Sequence, residues 1–410
     1  MFCRGLLSLM AIIIVYFIAQ KRRRARLPPG PRGLPLIGNL HQAPKEAVWL
    51  TFHKWVKEYG NLVSVNFGGT TVIIVGDYET AKDLLDKRGN IYTSRPRLVM
   101  AQELICNNNH IMFKPFAEDF LLHQWLQAPD MESKQLLLNL LDDSVDYAHQ
   151  IEIFTSSVAY SMAYGLRIHT GKEWQVEWDL GILADAGVEK TATTLMISVV
   201  ACVAQRKWVS KAQVELDAVI GSDRLPDFED MKNLPYIQAA IQEVFRWRHP
   251  VPACVPHATT QDDHYQGYLI PKGSVVVPLF SATRQDETVF QNPTDFCPER
   301  WIGRTQPGSF GYGRRACSGR HIARNNLIIA IARMLWAFHV RTPSGKATSV
   351  EEGMFTTGFV SAPKSFRAMF KPRSAQPIQV IRETHDNTKK DITIILKGMR
   401  ENLRAISVVL

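Results

Sequence analysis

The residues best placed to do chemistry stand in the stretch FGYGRRACSGRHIARN, Phe310 to Asn325, where one cysteine lies inside a glycine- and arginine-rich turn. Gly313 and Gly319 bracket Cys317 with residues that can take positive φ or let backbone approach a ligand closely. Beyond Gly319 the apolar residues Ile322, Ala323, Leu327, Ile328, Ile331, Met334, Leu335 and Phe338 recur at helical spacing, which places Cys317 just before a helix N-terminus. Free N–H groups and the helix dipole at such a place lower a thiol pKa and favour the thiolate. A thiolate serves as a nucleophile or as a metal ligand. No histidine with an orienting residue stands in a recognisable nucleophile signature. The six cysteines (Cys3, Cys106, Cys202, Cys254, Cys297, Cys317) are scattered singly, against an iron–sulfur cluster, a zinc site or a disulfide framework. Axial ligation of haem iron is the remaining use, and it needs only one cysteine.

Two other groupings carry charge. In IQEVFRWRHP, Glu243 and Arg246 stand three apart and so share one helix face; taken alone, such a pair is a solvated surface contact worth about 0.2–0.5 kcal/mol. In FCPERW, Arg300 follows a proline in a loop-like segment, and a second arginine there could share the Glu243 carboxylate bidentately and hold two distant segments together.

The elements that must position these groups come from a chain of 410 residues, 46% hydrophobic, ample for a large core. The net charge is +9, and Lys21, Arg22, Arg23, Arg24 and Arg26 alone supply five of those charges. The remainder is mildly basic, so no nucleic acid partner is expected. From Gly5 to Ala19 the run GLLSLMAIIIVYFIA carries no charge and, at about 1.5 Å per residue, covers most of a roughly 30 Å hydrocarbon core. The basic cluster behind it stays cytosolic by the positive-inside rule, which makes residues 1–20 a membrane anchor with the bulk of the chain in the cytosol. A cleaved secretory signal is the alternative, but no small-residue cleavage site follows. Residues 21–40 form a basic and Pro/Gly-rich hinge, ending in LPPGPRGLPLIGNL. Next come an amphipathic helical stretch near Ala47 to Tyr59, strand-like alternation from Leu62 to Val75 and a helix-like ETAKDLLDKRG. Beyond about Met131 helical periodicity dominates, broken by one strand-like island, Tyr268 to Leu279. The pattern is that of a single, mostly helical domain.

FGYGRRACSG resembles the haem-binding signature of the cytochrome P450 family, Phe-x-x-Gly-x-Arg-x-Cys-x-Gly, at Phe310, Gly313, Arg315, Cys317 and Gly319. The family's Glu-x-x-Arg and Pro-Glu-Arg-Trp elements appear as Glu243/Arg246 and Pro298 to Trp301, implying a Glu243–Arg246–Arg300 triad. The PPGP spacer, RGNIYTSRPR and GFVSAPKSFRAMFKPRSA are similar to microsomal fungal members of natural-product pathways. The resemblance implies a mainly α cytochrome P450 fold with a small β-sheet region, over residues 41–375, behind one transmembrane helix. It implies haem b with Cys317 as the axial ligand that favours O–O cleavage, Phe310 shielding the sulfur, and Arg315 paired with a haem propionate. His257, in VPHATTQDD, falls where the family places another propionate partner; its plain alternative is a loop histidine facing water. With no GxGxxG fingerprint and no flavin-binding half in the chain, electrons would come from a membrane-bound NADPH-cytochrome P450 reductase. The other implied partners are O2, an apolar small molecule and membrane lipid, at the endoplasmic reticulum.

The chain also departs from the family. Its proton-relay helix reads Ala/Gly-Gly-x-Asp/Glu-Thr-Thr/Ser; here AGVEKTATT keeps Gly187 and Glu189 but puts Lys190 at the alcohol position, with Thr191 one place later. An ammonium can donate protons, but it is bulky, strongly hydrated and able to neutralise Glu189. The Trp-x-x-x-Arg propionate support is lacking around residues 115–125, several roof helices are lacking at 173–174, and residues 376–410 form an atypical tail whose part from Glu383 reads as a solvated helix or an unrelated segment. Losses at several separate points read as altered splicing or gene prediction. Two functions follow: a haem-thiolate monooxygenase inserting one oxygen atom of O2 into an apolar natural product, or an inactive or uncoupled haem-binding remnant.

Overall fold

The computed structural model describes residues 24–96, 127–164, 167–168, 187–304 and 308–385. The apolar N-terminal run, the stretch around 115–125, the junction at 173–174 and the tail beyond 385 lie outside the described residues. In chain order the elements are α1 (Val48–Tyr59), β1 (Leu62–Phe67), β2 (Thr70–Val75), α2 (Tyr78–Lys82), α3 (Gln127–Asp142), α4 (Tyr147–Tyr164), α5 (Glu189–Ala204), α6 (Arg206–Val219) and α7 (Pro235–Trp247). There follow β3 (His257–Ala258), β4 (Asp263–Tyr265), β5 (Tyr268–Ile270), β6 (Val275–Pro278), α8 (Phe280–Thr283), α9 (Arg320–Ala337), β7 (Phe338–Arg341) and β8 (Met369–Pro372). A last helix, α10, covers 375–385. The helix-dominated content with small sheets agrees with the expected fold class. Among the described residues no helix is long and apolar enough to cross a membrane.

The chain divides into two compact units. The first takes in the described residues up to 96 with Ala253–Asp286 and Gly311–Ala316. Its centre is a sheet of order β1-β2-β6-β3, with β2 parallel to β6 and the other pairs antiparallel. The Phe67↔Thr70 pairing leaves a two-residue turn, and Gly68 (φ 59°) and Gly69 (φ 97°) supply the left-handed backbone that a tight hairpin needs. The β-branched run TTVIIV makes β2 a central strand. On α1, Trp49, Phe52, Trp55 and Val56 recur at helical spacing and pack on Val63, Val65, Ile74 and Val277. The strand-like island from Tyr268 to Leu279 is two strands in two sheets: β5 pairs with β4, and β6 joins the larger sheet.

The second unit is the helical one. On α9, Asn326 to Ala337 are all buried, and on α5 most residues from Thr191 to Val203 are, so these two helices form its centre. The described part of the atypical tail is a packed helix: Val380 and Ile381 lie in the core, and His385 is buried with Nε2 2.9 Å from Gln135 Oε1 on α3. Of the stretch from Glu383 onward only Glu383 to His385 are described, and Glu383 is exposed.

Candidate functional site

Cys317 stands where its sequence context puts it, three residues before α9 and one turn outside it. Its N–H donates to the Phe310 carbonyl at 2.7 Å, which closes the loop between the first and eighth positions of the signature. The Phe310 ring meets Phe245 of α7 edge-on, centroids 5.0 Å apart. The two signature glycines do different jobs. Gly313 has φ 54°, and a Cβ there would collide with the Leu85 carbonyl oxygen. Gly319 caps α9 at φ −80°, so the expectation of positive φ does not hold for it; a Cβ there would meet nothing nearer than Cys317 Sγ at 3.9 Å.

One electrostatic expectation is reversed. The surroundings of Cys317 desolvate the sulfur and push the thiol pKa up, even though the residue keeps an exposed surface. The Gly319 N–H, Arg320 and Lys190 pull the other way and do not win. A single N–H and two partly solvated charges cannot repay the dehydration of an anionic sulfur. The thiolate therefore needs more than the helix N-terminus. Cys202 and Cys254 are buried and their thiols raised by burial, that of Cys254 to about 11.

In the sheet-containing unit a group of cations converges. His257, on β3, is 3% exposed, which rules out a water-facing loop histidine. Its Nδ1 lies 2.9 Å from the Tyr92 carbonyl; a carbonyl only accepts, so Nδ1 carries the hydrogen and Nε2 the lone pair. Burial first, then Arg95, with a smaller push from Arg315, lowers its pKa to about 4. Arg95 donates to the Val255 and Pro256 carbonyls at 3.1 and 2.8 Å, and its Nε is buried without a hydrogen-bond partner. Burial and Arg315 pull Arg95 down to about 10. Arg315 donates Nε–H to the Thr93 carbonyl at 2.7 Å. Two guanidinium groups and a buried imidazole, with one buried Arg95 donor unspent, fit carboxylates. Arg315 is also only two residues from Cys317 in the chain. Each unit by itself carries groups that suit a haem: the helical unit a thiol for iron, the sheet-containing unit cations for propionates. Arg95 was not singled out from the sequence; its only sign was its place in the TSRP run.

In the helical unit, Arg246 and Glu243 are buried, not a surface pair. Arg246 donates to Glu243 Oε2 and Oε1 at 2.8 and 2.7 Å and gives two further donors to the Pro293 and Asp295 carbonyls. Arg300 joins, but not bidentately as expected: its Nε is 3.6 Å from Glu243 Oε1, while its Nη2 donates to the Gln291 and Asn292 carbonyls. The carboxylate has no room for a second fork, because the Cys297 N–H (2.9 Å) and Trp301 Nε1 (2.7 Å) fill its remaining lone pairs. Those two donors were not foreseen, although Trp301 adjoins Arg300 in the motif.

Glu189 opens α5 and is exposed. Thr191 is buried and its hydroxyl donates to the Gly187 carbonyl at 2.9 Å, one turn back. The Lys190 ammonium lies 5.8 Å from the centre of the Phe359 ring. Among the described residues a Cβ on Gly187 would meet nothing within 4 Å. Beside the start of α9, a cavity of about 340 Å3 is lined by Lys232, Gln238, His321, Arg324 and Asn325, with Arg324 donating to Gln238 at 3.1 Å.

The helix-dominated fold presents Cys317 from a loop at the N-terminus of a central helix, and the same unit holds the buried Glu243–Arg246 pair with Arg300 at its partly exposed edge. The family description Cytochrome P450 matches residues 28–139 and 178–370, and the chain belongs to the cytochrome P450 family. Its cofactor is accordingly a thiolate-ligated haem, and its class is that of monooxygenase oxidoreductases. It is 30% identical to the cytochrome P450 monooxygenase aneD of Aspergillus aculeatus over 489 residues, covering 92% of this chain and 95% of that protein. It is 32% identical to the monooxygenase astF of Aspergillus oryzae over 487 residues (94% and 93%), and 30% identical to peniB of Penicillium patulum over 493 (94% and 93%). Each alignment is longer than the 410-residue chain itself, so the relatives carry residues that this chain lacks.

Proposed function

We propose that this chain inserts one oxygen atom of O2 into an apolar small molecule of fungal secondary metabolism, with Cys317 as the iron ligand. The observation that carries the reading is the Cys317 loop: an N–H capped by Phe310, a sulfur beside the Gly319 N–H, and a thiol whose desolvation makes metal binding its route to the anion. Haem bound through that sulfur supplies the activation of dioxygen. The chain's own residues do the rest. Arg95 and Arg315 hold carboxylates, and His257 joins them once Nε2 takes up a proton. Phe310 covers one side of the sulfur. The Glu243–Arg246–Arg300 group holds α7 against the Cys297–Trp301 segment and so keeps the loop's footing rigid. The measurement is the absorption spectrum of the reduced, carbon monoxide-bound protein. A thiolate-type band that vanishes in Cys317→Ser and survives in Cys254→Ser and Cys297→Ser is expected; a band unchanged in Cys317→Ser would remove the assignment.

The partner proposed for electron delivery is an NADPH-cytochrome P450 reductase. Exposed Arg320, His321 and Arg324 beside the cavity at the start of α9 support an acidic docking surface on that partner. The endoplasmic reticulum membrane is the proposed location, on the strength of the apolar run and its basic flank. Deleting Met1 to Gln20 should release protein into the soluble fraction; carbonate-resistant membrane association after the deletion would contradict a single anchor.

A second reading, an uncoupled haem-binding remnant, is favoured by one observation. Where the relay calls for an alcohol next to the acid there is Lys190, and the nearest hydroxyl, Thr191, is buried and bonded back to Gly187 while Glu189 faces solvent.

A further inference from the structure

We propose that His249 is a positioning residue for the cysteine ligand: its Nε2–H, bonded to the Ser309 carbonyl, clamps the start of the Phe310–Cys317 loop to the end of α7. The inference rests on the haem-thiolate reading of Cys317.

The helix α7 ends at Trp247, and Arg248 is extended (φ −144°, ψ 109°), which turns His249 away from the helical path. Its Nε2 lies 3.0 Å from the Ser309 carbonyl oxygen. That oxygen can only accept, so Nε2 carries the hydrogen and the neutral ring has its lone pair on Nδ1. Nδ1 lies 3.0 Å from both the Val251 N–H, which it accepts in the neutral ring, and the Val251 carbonyl oxygen. One nitrogen thus ties to the chain just past α7, and the other reaches the cysteine loop. The His249 ring also stands 5.9 Å from that of Phe245, whose edge contact holds Phe310. Two neighbouring loop residues, Ser309 and Phe310, are therefore gripped by two residues four apart, one through its backbone and one through its ring.

The grip reaches the sulfur through the backbone of the loop. Gly311, at φ 89°, is a permissive hinge immediately after Phe310, and the Phe310 carbonyl is the acceptor of the Cys317 N–H. A shift of Ser309 and Phe310 moves that acceptor and with it the direction in which the sulfur points. The same helix carries Glu243 and Arg246, so His249 transmits the rigidity of the buried ion pair to the ligand loop. Neither the Phe-x-x-Gly-x-Arg-x-Cys-x-Gly spacing nor the Glu-x-x-Arg spacing includes it.

The test uses the full chain loaded with haem and two substitutions that split the two functions of the ring. His249→Asn keeps an acceptor near the Nδ1 position but is too short to reach Ser309. His249→Gln places an amide N–H near the position of Nε2. The readout is the fraction of the reduced, carbon monoxide-bound protein that shows the thiolate-type band, with urea midpoints measured alongside. The Asn variant should hold a thiolate population lower by about fivefold, the shift that loss of one ordinary hydrogen bond produces, at a midpoint close to that of the Gln variant. The Gln variant should stay near the unsubstituted protein. Equal thiolate fractions in all three proteins, or equal losses in Asn and Gln, would overturn the clamp. If the Asn variant does not fold, the Gln variant decides: a folded Gln protein without the thiolate band overturns the proposal, and one with the band supports it. An unsubstituted protein whose spectrum is indifferent to Cys317→Ser defeats the haem-thiolate reading first, and the clamp with it.

Discussion

The Arg246 guanidinium holds the Glu243 carboxylate with both prongs, at 2.8 and 2.7 Å, and neither side chain is exposed to solvent. At that burial the pair is worth little relative to two well-packed apolar residues, but very costly to break. Removing one partner strands a charge. Arg246→Met or Glu243→Ala alone should therefore cost about 3–5 kcal/mol in urea unfolding, a large part of an ordinary domain's stability of about 5–15 kcal/mol. The double variant Glu243→Leu/Arg246→Met should cost clearly less than the sum of the singles. Arg300→Ala, which gives up one 3.6 Å ion contact and two backbone acceptors at a partly exposed site, should cost about 1–2 kcal/mol. Additive singles would show that the pair does not act as a unit.

The signature glycines should separate in the same experiment. Gly313→Ala forces a side chain into left-handed backbone and against the Leu85 carbonyl, so about 2 kcal/mol or more should be lost. Gly319→Ala keeps an ordinary φ and open space, and should change stability by no more than about 1 kcal/mol. Similar losses at both positions would contradict this division.

His257 makes stability pH-dependent. Its imidazole titrates near 6.5 in the unfolded chain and is lowered to about 4 in the fold, so the unfolded state binds more protons between those values. Stability should fall as pH drops from about 6.5 toward 4, by about 3 kcal/mol in total from this group. His257→Gln should flatten that slope in denaturation midpoints taken across the range. Carboxylates placed against His257 favour its charged form, so haem loading should also shrink the slope. An unchanged slope in His257→Gln would assign the acid sensitivity elsewhere.

With reductase and NADPH, this 410-residue form should consume NADPH mostly into peroxide, because water reaches a site whose acid is exposed and whose next residue is a lysine. Lys190→Thr alone should raise the ratio of product to NADPH by less than about twofold, since it leaves the enclosure unaltered and Glu189 facing solvent. Restoring the segments that the relatives carry should matter far more. Tight coupling in the unmodified chain would refute this account.

Local chemistry was legible in the order of residues. The Cys317 loop, the start of α9, the Gly68–Gly69 hairpin and the buried stripe of α1 each depend on neighbours within a few positions, where backbone preference and apolar period act directly. Burial was not legible, because it depends on the arrival of distant segments. Glu243 and Arg246 have the spacing of a surface pair, and only the Cys297–Trp301 segment folding over them makes them a closed ion pair. Likewise the N-terminus of α9 argued for a low thiol pKa at Cys317, and the protein packed around the sulfur reversed the sign. Arg95 and His249 belong to the same kind: their partners, Val255 with Pro256 and Ser309, lie far along the chain. A hydrogen bond across such a distance leaves no periodic trace in sequence, since the chain entropy lost in closing it is repaid only by the whole fold.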